Sequence, residues 1–153
     1  MIEPREISAD TVNALIALAV KTSQMRLVAS NAITIAQAAY QPGAWLRGLL
    51  IGNTPVGLLA MIDLDHPSVT LDEGDPRNTA YVWRLMVDQY QQGRGYGGEA
   101  MQIALNTGRE WGKSQLVLSV VPTDKNAFGF YEKFGLKKTG RMVDDEVEMR
   151  MSL

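Results

Sequence analysis

The chain contains no cysteine and a single histidine, His66. Without thiols it can form no disulfide, offer no thiolate nucleophile and bind no metal through sulfur, and one imidazole cannot build a multi-histidine zinc site. Long apolar runs are also missing, since none approaches the ~20 residues that span a bilayer. The N-terminus, Met1-Ile2-Glu3-Pro4-Arg5-Glu6, lacks the apolar stretch of a signal peptide. Positive excess is absent too: the net charge is −2, so no overall field favours nucleic acid. There is no internal repeat, low-complexity segment or obvious linker. What is present is a chain of 153 residues, 46% apolar and 21% charged, enough for one domain over residues 1–153 with a real core. The expectation is a soluble cytoplasmic protein with no metal and neither nucleic acid nor membrane as partner.

Residues 2–7 read as a short strand. Asp10 is placed to cap a helix over Thr11–Val20, with Leu15, Ile16, Leu18 and Ala19 on its apolar face. A second helix follows over Asn31–Tyr40, capped by Ser30 or Asn31 and ended by Gln41-Pro42-Gly43. Strands over Trp45–Ile51 and Val56–Leu64 are joined by Gly52-Asn53-Thr54-Pro55, a hairpin signal. After a polar loop over 65–78 come a strand at 80–88, a helix over 96–111 and a buried, leucine- and valine-rich strand over Gln115–Val121. Asn126–Phe134 reads as a short helix ending at Gly135, and Leu136–Thr139 with Glu146–Leu153 as a final hairpin. The order β-α-α-β-β-β-α-β-α-β-β is a mixed α/β layer arrangement rather than a regular βαβ repeat.

The stretch Gln92-Gly93-Arg94-Gly95-Tyr96-Gly97-Gly98 stands between an apolar strand and a helix. Glycines there let the backbone adopt positive φ and approach a ligand closely, and N–H groups at a helix start attract an anion. Three classes of phosphate ligand compete. A P-loop requires Gly-Lys-Ser/Thr, which does not occur. Gly93-x-Gly95-x-x-Gly98 matches the dinucleotide spacing, but Asp88-Gln89-Tyr90-Gln91-Gln92 separates strand from glycines, and the next strand ends at Val120-Val121-Pro122 without the acid that would hold a ribose. The third class is a pyrophosphate loop of the form Gln-x-x-Gly-x-Gly, here Gln92, Gly95 and Gly97, preceded by Leu85-x-Val87.

Together with Phe130-Tyr131-Glu132-Lys133-Phe134-Gly135-Leu136 farther on, that loop resembles the two hallmark motifs of the GNAT superfamily of N-acetyltransferases. Val28-Ala29-Ser30-Asn31 and Trp83-Arg84-Leu85-Met86-Val87-Asp88 are similar to its bacterial spermine/spermidine (diamine) acetyltransferase-like branch. The resemblance implies a central mixed, mostly antiparallel twisted sheet flanked by helices and splayed between the strands at 80–88 and 115–121. It implies acetyl-CoA as cosubstrate, with Gly93 through Gly98 and Arg94 on the pyrophosphate, Gln92 and Tyr96 in the same loop, and Leu85, Met86 and Val87 along pantetheine and acetyl. Tyr131 is implied as the general acid for the departing thiolate; a phenol with pKa ≈10 carries its proton at neutral pH. The asparagine that relatives often place before this tyrosine is Asp124 here, with Asn126 two residues later as the remaining candidate for a coenzyme contact.

No carboxylate lies in the strand at 80–87, so the base that deprotonates an ammonium acceptor is open among His66, Asp63, Asp65, Glu73 and a water chain. Acids cluster at Asp63, Asp65, Asp72, Glu73 and Asp75, and again at Asp144, Asp145, Glu146 and Glu148. An acidic rim would draw a polycation such as a polyamine, with Trp45, Trp83, Tyr81 and Tyr90 available to pack on an alkyl-ammonium. Solvated surface loops are the competing explanation. Other acceptors in view are aminoglycoside, amino-acid and protein amines. A non-catalytic acyl-CoA-binding regulatory module is the alternative from another class. The superfamily makes a homodimer an expectation.

Overall fold

Apolar side chains at alternate positions commit each strand to two faces at once. The computed structural model describes residues 1–153. Its strands are β1 (Glu3–Arg5), β2 (Ala44–Ile51), β3 (Thr54–Asp63), β4 (Thr79–Val87), β5 (Gln115–Val120), β6 (Lys137–Val143) and β7 (Glu146–Ser152). The helices are α1 (Val12–Ala17), α2 (Asn31–Ala38), α3 (Tyr96–Glu110) and α4 (Lys125–Glu132), with a 3-10 turn at Thr22–Gln24. One sheet runs in the order β1-β2-β3-β4-β5-β7-β6. Every neighbouring pair is antiparallel except β4 and β5, which are parallel. This is the mixed, mostly antiparallel arrangement expected. No helix is long and apolar enough to cross a membrane.

The larger core lies on the face covered by α3 and α4. Leu49, Leu59, Met61, Val82, Leu116 and Leu118 meet Met101, Ala104 and Leu105 there, and Phe128, Phe130, Tyr131 and Phe134 pack along its margin. The helix sits close because Gly108 has no side chain: a Cβ there would come within 2.7 Å of Leu153 and 3.2 Å of the Ala80 Cβ. A smaller core of Leu15, Leu58 and Met86 fills the opposite face beneath α1 and α2. Adjacent Leu58 and Leu59 serve the two cores, as strand alternation requires.

One irregularity sets the direction of everything that follows. Between β3 and β4 the register shifts: Ala60 faces Arg84 but Met61 faces Val82, leaving Trp83 as an extra residue. Such a bulge reverses which face the later residues address. Ala80 and Val82 therefore pack under α3, whereas Met86 joins the core under α1 and α2, and Arg84 reaches Thr34 on α2.

Two helices are shorter than the periodicity suggests. The first ends at Ala17 rather than Val20, because Leu18 turns extended and Ala19 is bonded away: its N–H donates to Asp88 Oδ1 at 3.0 Å, and its carbonyl accepts from Gln89 N–H at 2.8 Å. Only Leu15 of the expected apolar face is buried within the helix; Ile16 is exposed. Thr11, not Asp10, occupies the cap position, without a side-chain cap bond. The second helix is capped by Ser30, whose Oγ accepts from Ile33 N–H, and ends at Ala38. The expected first hairpin is present, with Gly52 and Asn53 between paired Ile51 and Thr54.

Candidate functional site

The glycine loop reaches α3 through two left-handed residues, Gly93 (φ 79°) and Gly95 (φ 86°). Gly95 is the N-cap residue, and no side chain caps the helix. The backbone N–H groups of Gly93, Arg94, Gly95, Tyr96, Gly97 and Gly98 donate no hydrogen bond; the first bond into the helix is Glu99 N–H to the Gly95 carbonyl at 3.1 Å. A helix start leaves such donors unpaired, and here the loop before it adds more. The one acid in the first turn, Glu99, is held elsewhere by the Ile2 N–H at 2.7 Å. The concentration of free N–H groups and the positive end of the α3 dipole make this an anion cradle. It opens on a cavity of about 380 Å³ lined by Gly93, Gly95, Gly97 and Gly98 together with Leu85 and Tyr131.

Next to the cradle, the sheet separates. β4 and β5 pair only from Thr79↔Gln115 to Val82↔Leu118, so Trp83–Val87 has no partner on that side. Asp88 N–H donates to the Val56 carbonyl on the β3 side. By strand alternation, the N–H groups of Leu85 and Val87 face the gap. A slot of about 180 Å³ occupies it, walled by Leu85, Met86, Val87, Ser119, Val120 and Tyr131.

Beyond the slot lies a third cavity of about 500 Å³, bordered by Tyr81, Trp83, Arg84, Ser119, Asp144 and Glu146. Leu85 and Tyr131 line all three spaces. Tyr131 is thus the only titratable side chain common to the cradle, the slot and the far cavity. Its phenol is pushed up to about 12 by burial and, secondarily, by the Asp124 carboxylate. No protein group hydrogen-bonds its oxygen, which is nevertheless not sealed from the cavities.

Other sequence candidates divide. Gln92 lines the cradle's cavity, but its Nε2 is spent on Gln24 Oε1 at 2.8 Å and on the Val87 carbonyl at 3.1 Å, so it braces the loop. Tyr96 also lines that cavity, whereas Arg94 is exposed beside it. Asn126 is exposed and borders none of the three spaces; Asp124 caps α4 by accepting from Ala127 N–H at 3.2 Å and lines the slot. Among base candidates, His66 is exposed and accepts from Ser68 N–H, and none of His66, Asp63, Asp65 and Glu73 borders a space shared with Tyr131.

Four of the nine acids of the expected rim, Asp63, Asp65, Asp75 and Glu148, are engaged internally. Lys113 Nζ lies 2.6 Å from Asp63 and 3.0 Å from Asp65. Burial pulls the Asp65 carboxyl upward, but the N–H groups of Asn78 and Thr79 and the Lys113 ammonium outweigh it and hold the group below the usual carboxylate range. Arg141 bridges Asp75 at 2.7 Å and Glu148 at 3.0 Å, and Arg150 adds a further contact to Glu148 at 3.1 Å. Trp45 packs edge-on to Trp111, and Tyr90 is exposed. Asp144, Glu146, Tyr81 and Trp83 are what remains at the far cavity.

Sequence reasoning named Asp88 only as part of a motif and gave it no role. This buried carboxylate accepts from Ala19 and Tyr90 N–H groups, while its carbonyl accepts from Gln91 and Gln92. It ties the segment that roofs the slot to the end of β4. A buried acceptor serving several donors leaves each of them unsatisfied when removed. Asp88→Ala is expected to cost about 1–3 kcal/mol of stability, measured by urea unfolding, and to weaken binding in the slot by freeing the roof.

The profile of the Acetyltransferase (GNAT) family matches residues 14–136. An uncharacterized N-acetyltransferase of the pepI 3′ region in Lactobacillus delbrueckii subsp. lactis is 33% identical over 102 residues, a stretch that is 67% of this chain and 57% of that protein. The PaiA N-acetyltransferase of Thermoplasma acidophilum, solved with coenzyme A, superposes with a TM-score of 0.70 at 16% identity over 100% of this chain and 99% of its own. The GNAT domain of S. lividans PAT gives 0.77 at 15% identity, covering 99% of this chain and 89% of its own. At such identities the structural likenesses speak to the fold.

Proposed function

Because the chain belongs to the GNAT acetyltransferase family, we propose that it is a single-domain enzyme that transfers the acetyl group of acetyl-CoA to a small primary amine. The observation that carries this reading is the run of unbonded N–H groups from Gly93 to Gly98, at the head of a groove that ends at Tyr131. The fit to acetyl-CoA is chemical: an anion cradle for a pyrophosphate, a largely apolar slot for the pantetheine arm, and a cavity beyond for the acceptor. The solved T. acidophilum relative of the same fold carries coenzyme A.

Acetyl-CoA supplies an acyl carbon joined to a good sulfur leaving group. The chain's residues divide the work of moving it. Gly93 through Gly98 hold the phosphates, with Arg94 adding charge. The Leu85 and Val87 N–H groups face the gap, where they bond the arm and polarise the thioester carbonyl as charge develops on its oxygen. The neutral amine attacks the acyl carbon, the C–S bond breaks as Tyr131 gives its proton to the sulfur, and the proton shed by the acylated nitrogen passes to water, from which the phenolate is reprotonated. A polyamine acceptor keeps support from Asp144 and Glu146, since Asp63, Asp65, Asp75 and Glu148 are paired internally and Asp72, Glu73 and Asp145 border none of the three spaces.

The binding half is tested by titrating acetyl-CoA against acetyl-pantetheine, which lacks the pyrophosphate: the intact molecule should bind at least tenfold more tightly, and equal affinities would remove the cradle from the account. The acid half has a pH signature. A donor must be protonated, and a group raised to about 12 loses its proton only as pH climbs toward that value. Turnover should therefore rise with pH as the amine deprotonates and show no fall below pH ~10. An alkaline decline with a midpoint near neutrality that persists in Tyr131→Phe would place the proton donor on another group and contradict the assignment.

A further inference from the structure

The far cavity holds charges of both signs. Arg84 projects from β4 with its guanidinium 4.4 Å from the Trp83 ring centroid and one Nη donating to Thr34 Oγ1 at 3.1 Å. Glu146 and Asp144, at the β6–β7 turn, border the same space, and Arg26 stands at its rim. Arg84 and Glu146 are both half-buried and close enough to influence each other electrostatically, yet they form no ion pair, unlike the bridged acids on Lys113 and Arg141. Burial pushes Glu146 above the usual carboxylate range, with Asp144 adding to the shift, and burial also draws Arg84 down from the usual guanidinium value. Opposite charges that are partly desolvated but held apart gain from a ligand that supplies the complementary charge to each. A polycation satisfies the acids and is repelled by the arginines. A plain carboxylate does the reverse.

We propose that the acceptor carries a carboxylate close to its amine, the chemistry of a free amino acid, with Arg84 receiving the carboxylate and Asp144 and Glu146 drawing in the ammonium. Guanidinium and carboxylate match in planar, two-point geometry, and Thr34 together with the Trp83 ring holds the Arg84 fork in place. The acidic pair lies in the cavity that Tyr131 and Leu85 also border, so an amine held there is delivered to the acyl carbon. Met25, Leu27 and Val28 line the same cavity and accommodate an apolar side chain. This assignment rests on the acetyl-transfer reading and specifies its second substrate.

The test compares acceptors that differ only in the carboxylate, leucine with leucinamide and alanine with alaninamide, alongside spermidine and a short peptide with a free N-terminus. Acetyl-CoA is saturating and thiol release is measured. The amide's amine has the lower pKa, which favours the amide in free-base supply, so a preference for the acid cannot arise from amine protonation. The free acid should show at least tenfold higher kcat/KM. Arg84→Met should erase that preference, bringing kcat/KM for the free acid down to that for the amide; if that variant does not fold, Arg84→Gln, which keeps a donor for Thr34, replaces it. Equal or better turnover of amides, a preference for spermidine or the peptide, or an equal loss for acid and amide in the variant would overturn the proposal and leave the acetyltransferase reading standing. If no acceptor is acetylated, the acetyltransferase reading fails instead. Calorimetry of the same pairs against CoA-loaded protein then decides the substrate proposal: the acid binding more tightly in wild type, but not in the variant, sustains it, and equal affinities end it.

Discussion

Tyr131→Phe should lower turnover by roughly 10²–10⁴-fold, the contribution expected of a positioned proton donor, while changing the acetyl-CoA dissociation constant less than twofold. The substitution removes one oxygen and keeps the ring, so the contacts with Phe130 (centroids 5.1 Å apart) and the core margin survive. No protein hydrogen bond is lost, because the phenol makes none. An effect on kcat with little change in affinity or melting temperature would therefore report chemistry rather than packing. An aromatic residue serving only the core would give the opposite pattern, an unchanged rate.

Gly97→Asp is expected to weaken acetyl-CoA binding tenfold or more, with Gly97→Asn close to wild type. Gly97 suits a charge test because its φ is not left-handed, and a Cβ there would meet only Phe130 at an ordinary 3.5 Å. Both variants add nearly the same atoms at the free N–H groups; only one adds a negative charge. Like charges ~6 Å apart at an effective dielectric near 20 repel by about 3 kcal/mol before salt screening. A drop of the same size in both variants would indicate that the loop discriminates by shape alone. The charge effect should shrink at high ionic strength, which provides a second readout on the same proteins.

What the sequence made legible, and what it concealed, follows from how local each signal is. The strand, glycine loop and helix at 79–110 are encoded in neighbouring residues, through apolar alternation, glycines that tolerate positive φ and helical periodicity, and they were readable within a residue or two. The splay of β4 from β5 was expected from resemblance; no local pattern announces that pairing stops after Val82. No local pattern places the bulge at Trp83, because residues 80–87 are apolar almost throughout and show no alternation to interrupt, yet it decides that Arg84 turns toward α2 and the far cavity. The early end of α1 came from a partner distant in the chain: Asp88 captures the Ala19 N–H, a tertiary bond that overrides helical periodicity. Charge was the least legible. Asp63 and Asp65 read as free acids until Lys113 was seen between them, and Asp75 and Glu148 until Arg141 was. Acids counted along the chain suggest a polycation; acids left after pairing suggest a smaller, mixed-charge acceptor.

Glycine and a helix start produce the cradle. The failed pairing of β4 and β5 produces the slot. The bulge and the terminal hairpin produce a cavity with both signs of charge, and α4 sets Tyr131 where the three meet. The most direct measurement of the central claim is mass spectrometry of an amine panel incubated with isotopically labelled acetyl-CoA and either wild-type protein or Tyr131→Phe, with coenzyme binding verified for both. The account predicts labelled acetyl on the nitrogen of at least one amine, formed at a rate that falls at least a hundredfold in the variant. Labelled product at equal rates from the two proteins, or none from any amine although acetyl-CoA is bound, would contradict it.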